Sequence, residues 1–295
     1  MNTSALSEPT APAGTFWDYL FLTKPRLVSL VLATTLLGFL LGTDSPPDIF
    51  LLFHALFGSF LMGAGSIALN QFFEKDVDAK MKRTESRALP SGKLNARNVL
   101  AFGVTLAGLG FSELVVFVNP LTGVLGGVTF FTYVFFYTPL KRVTPFNTFV
   151  GAVPGALPIV MGWTAVRGVW DLEATLLFLI LFVWQLPHFL AIAWVYREDY
   201  AKSGLLMLPN FDPSGKRTGR QIIFYSALLL PVSLLPVWTG LCGVLYLCAA
   251  LLAGGIFLIM AIFLSLRQMD NAKKFVLASI YYLTFIVFSM LADKL

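Results

Sequence analysis

Long apolar stretches alternate with short polar connections along almost the whole chain. Nine stretches can be marked, and most approach the roughly 20 residues that a helix needs to cross a bilayer. Because lipid offers no hydrogen-bond partners, only helices satisfy their own backbone at this density of spans. The pattern therefore predicts an all-α, polytopic membrane protein with nine transmembrane helices. The predicted spans are 27–42, 50–69, 99–118, 121–137, 147–163, 175–195, 222–238, 241–264 and 275–291.

The overall composition agrees with this pattern. Hydrophobic residues make up 57% of the chain and charged residues only 13%, which excludes an ordinary soluble domain. Residues 1–22 differ, because they begin with a Ser-, Thr-, Pro- and Ala-rich tail that lacks the features of a cleaved signal peptide. We expect residues 1–22 to be a disordered or interfacial segment and residues 23–295 to form a single integral-membrane domain.

The basic residues are distributed unequally between the two sides of the predicted membrane. Every Lys and Arg except Arg167 and Lys294 lies in the N-terminal flank or in a connection that follows an even-numbered span. By the positive-inside rule, the N-terminus is then cytoplasmic and the C-terminus lies on the outer side, as expected for the inner membrane of a bacterium. The net charge of +5 is explained by this topology, and no nucleic-acid partner is expected.

Three oxygen-bearing side chains stand four residues apart where the second span ends: Asn70, Glu74 and Asp78. On a helix such residues fall on nearly the same face. Their oxygens suit a hard cation such as Mg²⁺, which uses one or two protein carboxylates together with substrate phosphates. The alternative interpretation is a solvated helix end whose charges pair with neighbours one turn away.

Basic side chains surround this stripe in the sequence. Lys82, Arg83 and Arg87 follow it in the same loop, and Lys141 and Arg142 precede the fifth span on the same predicted side. Guanidinium and ammonium groups bind phosphate. Together with the stripe they predict a metal-and-diphosphate site, although Lys141 and Arg142 could serve only as topology anchors.

A second polar group lies at the end of the sixth span and just beyond it. It consists of Gln185 and His188, followed by Glu198 and Asp199. His188 and Asp199 share a face if the helix continues, and Gln185 lies one turn from His188. Polar groups inside a span are costly and indicate function. A histidine in a span can also simply bond a neighbouring carbonyl group.

Other polar or helix-breaking residues inside the spans are assigned less specific roles. Pro154 and Pro158 predict two breaks in the hydrogen-bond ladder of the fifth span, which membranes tolerate beside protein or a cavity. His54 lies about 24 Å from Asn70 along a helix and on its far face, so it is interpreted as structural. The sequence indicates no role for Glu113.

Four stretches resemble the UbiA-type intramembrane prenyltransferases. The run SIALNQFFEKDVDAKMKRTESRALPSG resembles the first signature loop of that family. Similar stretches are YTPLKRVTPFNTFVGAVPGALPIVMGW, WQLPHFLAIAWVYREDYAKSGLLMLP and GKRTGRQI, so the resemblance runs from about Lys24 to the last span. Glu74 replaces the middle Asp of the family's N-x-x-x-D-x-x-x-D pattern, and the second Asp-rich motif is reduced. Both departures are typical of the branch that farnesylates protohaem.

The resemblance implies a helix bundle around a central cavity that opens to the cytoplasm. It implies that Mg²⁺ held by Asn70, Glu74 and Asp78 bridges the diphosphate of farnesyl diphosphate, while Glu198 and Asp199 bind a second ion. Basic residues would neutralise the leaving group: Lys82, Arg83, Arg87, Lys141 and Arg142.

The same resemblance implies that haem B is a substrate, not a prosthetic group, and that the product is haem O. His188, with Gln185 beside it, would either activate the water that captures the cation or bind the haem iron. Besides the lipid bilayer, a haem A synthase or a terminal oxidase under assembly would be expected partners.

Two alternative functions compete with this interpretation. A related transferase could act on an aromatic quinone precursor, but Glu74 and the Pro187–His188 pair argue against it. A transporter would carry acids deep within its spans, whereas here the acids gather at one rim, with Glu113 as the exception.

Overall fold

The computed structural model describes residues 14–294, so the predicted disorder of residues 1–13 lies outside the described part. Within residues 14–294, nine helices are long and apolar enough to cross a membrane, which confirms the predicted all-α bundle. The helices are α1 Phe16–Leu22, α2 Pro25–Gly42, α3 Ile49–Asp78, α4 Ala96–Phe117, α5 Pro120–Phe131, α6 Thr138–Leu140, α7 Asn147–Arg167, α8 Leu172–Val195, α9 Arg197–Ser203, α10 Lys216–Trp238, α11 Val244–Leu266 and α12 Ala272–Ala292. Helices α5 and α6, with a π-helical turn between them, together form one of the nine spans, Pro120–Leu140.

Helix α3 extends well beyond the apolar span from which it was predicted. Its 30 residues begin after Asp48, whose carboxylate accepts hydrogen bonds from the N–H groups of Phe50 and Leu51. Such a cap satisfies donors that have no partner within the helix. At the other end the helix continues to Asp78, so the whole polar stripe is helical.

Helices α2 and α7 approach each other backbone to backbone. A Cβ atom added at Gly38 would lie 1.8 Å from the Ile159 carbonyl oxygen, and one added at Gly162 would lie 1.8 Å from that of Thr35. Small residues allow the two backbones to come this close. In a bilayer the lipid is as apolar as the side chains, so close packing of this kind drives the association of helices. The two glycines therefore fix α7 against α2.

Replacement of Gly162 by Ala is expected to destabilise the protein by about 1–3 kcal/mol, because the new methyl group overlaps rigid backbone atoms. Thermal unfolding in detergent measures the loss. Gly108→Ala is the matched control, since a Cβ atom there meets nothing within 4 Å. That control should be neutral or gain about 0.5–1 kcal/mol from lower chain entropy in the unfolded state. Equal stability of the two variants would contradict the packing argument.

Helix α7 runs unbroken from Asn147 to Arg167 although Pro154 and Pro158 lie within it. The two prolines remove two backbone donors but do not interrupt the helix. The tight packing against neighbouring helices explains this, because buried protein contacts on both sides hold the backbone in place.

His54 links α3 to α4. Its Nδ1 atom lies 2.6 Å from Oε1 of Glu113, and its ring stacks on Phe117. This contact supports the structural interpretation of His54 and supplies the partner of Glu113 that the sequence did not indicate.

Candidate active site

The polar stripe of α3 points into the protein. Asn70, Glu74 and Asp78 are 3%, 6% and 1% exposed, whereas Asp76 on another face of the same helix is exposed. A solvated helix end would expose all four side chains. Burial of two carboxylates needs compensating partners, and the structure supplies them.

Each member of the stripe contacts a residue from another segment. Lys141 donates to Glu74 at 3.0 Å, and Arg87 pairs with the carboxylate of Asp78. The amide nitrogen of Asn70 donates to the Thr138 hydroxyl at 2.9 Å, which leaves its carbonyl oxygen for a ligand. The structure therefore brings together an oxygen-rich stripe and two of the predicted cations.

A π-helical turn positions the residues opposite the stripe. It spans Thr132–Tyr137, and the Thr138 hydroxyl donates to the carbonyl oxygen of Tyr133 at 2.9 Å. The Lys141 ammonium lies 4.4 Å from the centre of the Tyr137 ring. Single π-helical turns within helices are rare and occur frequently at functional sites.

The groups around Lys141 keep its side chain protonated. Burial by itself lowers the pKa of its ammonium group, but Tyr137 and Glu74 outweigh burial and raise that pKa above its ordinary value. Lys141 is therefore a permanent cation at neutral pH. This is the state needed to bind a diphosphate.

Lys24 is a further basic residue near the site, predicted from the sequence only as part of the basic N-terminal flank. It precedes α2 with a φ of 48°, a left-handed conformation that is strained for a lysine. Burial and the charge of Arg87 lower its pKa to about 7, and the charge of Asp78 opposes them. A bound anion would favour its charged form. In the sequence, the feature that could have indicated this role is a lysine directly before a proline on the predicted cytoplasmic side.

The remaining predicted cations stay at the surface around the site. Arg142 is exposed and donates to the Phe73 carbonyl oxygen at 3.1 Å, one residue from Glu74. Arg83 is exposed and stacks 5.1 Å from the Tyr196 ring centre. Lys82 is exposed as well. The structure does not bring these three to the stripe.

The second polar group is divided by a helix end. Helix α8 stops at Val195, Tyr196 leaves the helical path, and α9 begins at Arg197. A continuous helix was the condition for His188 and Asp199 to share one face, and the structure does not meet it. Glu198 is exposed and Asp199 half-buried. In residues 14–294 no group of three or more His, Cys, Asp and Glu side chains could hold a metal ion, so a second-ion site remains a prediction.

His188 and Gln185 contact different helices. Nδ1 of His188 lies 2.6 Å from the Ser279 hydroxyl on α12, whereas Gln185 donates to the Ala152 carbonyl oxygen on α7 at 3.3 Å. Next to Gln185, Gly155 is exposed although it lies in the middle of α7. The part of α7 that lies next to Gln185 is therefore accessible from outside the protein.

The connection after α9 contacts the connection between α6 and α7 and packs near the end of α3. The Leu206 N–H donates to the Lys141 carbonyl oxygen at 2.7 Å, and the Asn147 amide donates to the Leu206 carbonyl oxygen at 2.8 Å. Tyr200 of α9 packs against a hydrophobic cluster formed by Val77 at the end of α3, Met81 and Leu205. The two polar connections of the chain are therefore adjacent in space.

Known proteins share both this sequence and this fold. The model of the UbiA prenyltransferase family matches residues 31–286. A protein named protoheme IX farnesyltransferase from Solibacter usitatus (strain Ellin6076) is 44% identical over 287 residues, covering 94% of this chain and 98% of that protein. The chain belongs to the UbiA prenyltransferase family. The resemblance seen in the sequence is thereby confirmed.

Further relatives agree with the UbiA assignment. A protoheme IX farnesyltransferase from Myxococcus xanthus (strain DK1622) is 38% identical over 296 residues, covering 100% of this chain and 99% of that protein. A digeranylgeranylglyceryl phosphate synthase structure superposes with a TM-score of 0.80 at 20% identity, covering 94% and 97% of the two chains. A UbiA homologue from Archaeoglobus fulgidus, solved with GPP and Mg²⁺, gives 0.64 at 16% identity and 93% and 99% coverage. These two structures support the fold.

In this UbiA-family protein, Gly151 makes room for Tyr137. A Cβ atom at position 151 would lie 2.5 Å from the Tyr137 ring. Gly151→Ala should therefore displace the ring and the Lys141 ammonium above it. We expect the rate of prenyl transfer to fall about tenfold, which is less than the loss of about 100-fold or more that removal of an electrostatic contact causes. Turnover measurements check this.

Gly127→Ala is the control for Gly151→Ala, because its Cβ atom would make only ordinary contact with Phe111 at 3.5 Å. It should retain parental turnover. Parental turnover in Gly151→Ala as well would show that the position of Tyr137 does not matter.

Proposed function

We propose that this protein transfers the farnesyl group of farnesyl diphosphate to a vinyl group of haem B, with addition of water, giving haem O. The reaction would take place at the cytoplasmic face of a bacterial inner membrane. The observation that carries the proposal is the buried stripe of Asn70, Glu74 and Asp78 with Arg87 and Lys141 bound to it. The names of the two protoheme IX farnesyltransferases support the acceptor.

The side chains of the stripe fit a hard divalent cation. They offer one amide carbonyl oxygen and two carboxylates on one helix face, which is the donor chemistry that Mg²⁺ prefers. When bound, Mg²⁺ would supply charge neutralisation of the diphosphate and polarise the bond to the leaving oxygen. The A. fulgidus homologue binds both GPP and Mg²⁺, which supports this assignment.

The cations of the chain are proposed to bind the leaving group. Lys141 and Arg87 already lie beside the carboxylates of the stripe, so a diphosphate held at the stripe comes within their reach. Lys24, just before α2, would add a third positive group, because a bound diphosphate would favour its charged form. Groups fixed in place where charge develops stabilise a transition state more than water does, because they need no reorganisation.

The bonds and electrons of the reaction balance without an external oxidant. The C1–O bond of farnesyl diphosphate breaks, and its electron pair leaves with the diphosphate. The π electrons of the haem vinyl group form the new bond to C1. Water then adds to the remaining vinyl carbon and loses one proton. Aromatic rings such as Tyr133 and Tyr137, 5.5 Å apart, would shelter the farnesyl cation from bulk water.

Glu198 and Asp199 are proposed to serve a second ion at the same mouth. The support is the packing of Tyr200 on α9 against the cluster that contains Val77 of α3. Gln185 is proposed to contact haem from α8, at the level where accessible surface reaches α7.

Purified protein supplied with farnesyl diphosphate and Mg²⁺ tests the choice of acceptor. Haem B and a hydroxybenzoate are offered separately, in water enriched with ¹⁸O. We expect a haem product heavier by one farnesyl and one hydroxyl group, with the label in the hydroxyl. Prenylation of the hydroxybenzoate without modification of haem would overturn the proposal.

A further inference from the structure

One serine on α12 anchors two aromatic side chains of α8. The Trp184 indole donates to the backbone carbonyl oxygen of Ser279 at 2.7 Å, and the Ser279 hydroxyl lies 2.6 Å from Nδ1 of His188. The Trp184 and His188 rings stack with their centres 4.8 Å apart. Two hydrogen bonds and one stacking contact therefore fix the plane and direction of the imidazole.

The direction of the hydrogen bonds determines where the imidazole proton lies. The Ser279 hydroxyl donates its single hydrogen to the Val276 carbonyl oxygen at 2.6 Å. With its hydrogen donated there, the hydroxyl acts as an acceptor toward His188, and this assignment places the imidazole proton on Nδ1 and a lone pair on Nε2. Within residues 14–294, Nε2 of His188 has no hydrogen-bond partner. The protein thus fixes one tautomer and leaves the opposite nitrogen free for a ligand.

The surroundings of His188 favour a role in which the ring remains neutral. His188 and Ser279 are both buried, so water does not compete for the Nδ1 proton. The ring contacts are Trp184, Phe189 and Ser279, none of which carries a negative charge. A general base becomes an imidazolium, which burial without a counter-charge disfavours. A ligand of iron stays neutral.

We propose that Ser279 is a positioning residue that holds His188 in its Nδ1–H tautomer, so that Nε2 binds the iron of the haem acceptor. The identity of the acceptor rests on the proposed function. Histidines that bind metals commonly donate their other N–H to a fixed acceptor, which sets the tautomer and raises the basicity of the ligand. Histidine is also a common axial ligand of haem iron.

Haem titration of the purified full chain tests this role without requiring turnover. The probes are ferric haem B and metal-free protoporphyrin IX, followed by Soret absorbance. Ser279→Ala should weaken haem binding about tenfold and shift the Soret band, since loss of such an orienting partner costs 10- to 100-fold in metal binding. Ser279→Thr, which keeps the hydroxyl, should bind haem as the parent does. Protoporphyrin, which has no iron, should bind equally well to all three proteins.

Three results would overturn the inference. They are a parental Soret band and affinity in Ser279→Ala, a parental Soret band in His188→Ala, and an equal loss of haem and protoporphyrin binding in Ser279→Ala. The third would indicate altered packing instead of lost iron coordination. A chain that shows Ser279-dependent haem binding but makes no haem O would contradict the proposed function alone. Haem O synthesis with a Ser279-independent spectrum would contradict this inference alone.

Discussion

Replacement of Asp78 by Asn is expected to lower the rate of haem O formation by about 100- to 1000-fold, the loss typical of removing one fixed electrostatic group from an active site. Asn has the same shape but no charge, so the stripe loses one anionic ligand and Arg87 loses its partner. Steady-state rates over a range of Mg²⁺ concentrations measure the effect. The Mg²⁺ concentration for half-maximal rate should rise as well, because one carboxylate fewer binds the cation.

The control for Asp78→Asn lies two residues away on the same helix. Asp76 is exposed, whereas Asp78 is 1% exposed, so Asp76→Asn removes the same charge from the solvent side. We expect its rate to stay within about twofold of the parent, as for most surface substitutions. Glu74→Gln should resemble Asp78→Asn, because Glu74 is buried against Lys141. Similar rates for Asp76→Asn and Asp78→Asn would remove the metal assignment.

Replacement of His188 by Ala is expected to abolish most modification of haem, by about 100-fold or more, and to leave the binding of farnesyl diphosphate unchanged. Its Nε2 atom would no longer hold the acceptor in place, and loss of correct positioning costs that much. The diphosphate site keeps all its contacts, since His188 lies on α8 against α12 and none of Glu74, Asp78, Arg87 or Lys141 touches it. Rates of haem O formation and equilibrium binding of farnesyl diphosphate separate the two effects.

His54→Ala is the matched control for His188→Ala, because the chain contains two histidines. His54 pairs with Glu113 between α3 and α4, so its loss should lower the unfolding temperature and leave the KM for haem unchanged. If His188→Ala forms haem O at the parental rate, or if both variants raise the KM for haem equally, His188 has no specific role at the acceptor.

The nine spans and the stripe of α3 were predictable because both depend on local pattern. Apolar length indicates a span, and a spacing of four indicates a shared helix face. Burial of the stripe was not predictable in the same way. It depends on Lys141 and Thr138, which the fold brings to Glu74 and Asn70 from almost seventy residues away in the chain.

The sequence left open whether one helix continues from His188 to Asp199. The sequence between His188 and Asp199 contains no Gly or Pro to indicate the end of α8, yet the helix ends at Val195 and α9 begins after Tyr196, whose backbone is not helical. The G-x-x-x-G spacing of Gly151 and Gly155 indicated close packing but not the side chain against which Gly151 packs. Its role depends on its contact with the ring of Tyr137. Tyr137 is the last residue of the π-helical turn, and its ring lies against α7. Such contacts exist only once the chain has folded.

The central claim is that a divalent cation bound by Asn70, Glu74 and Asp78 allows diphosphate to leave farnesyl diphosphate. The most direct test is haem O formation by the purified protein after complete chelation of divalent ions and again after Mg²⁺ is restored. We predict no product after chelation, full recovery with Mg²⁺ in the parent, and little recovery in Asp78→Asn at the same Mg²⁺ concentration. Undiminished haem O formation by the fully chelated parent would contradict the claim.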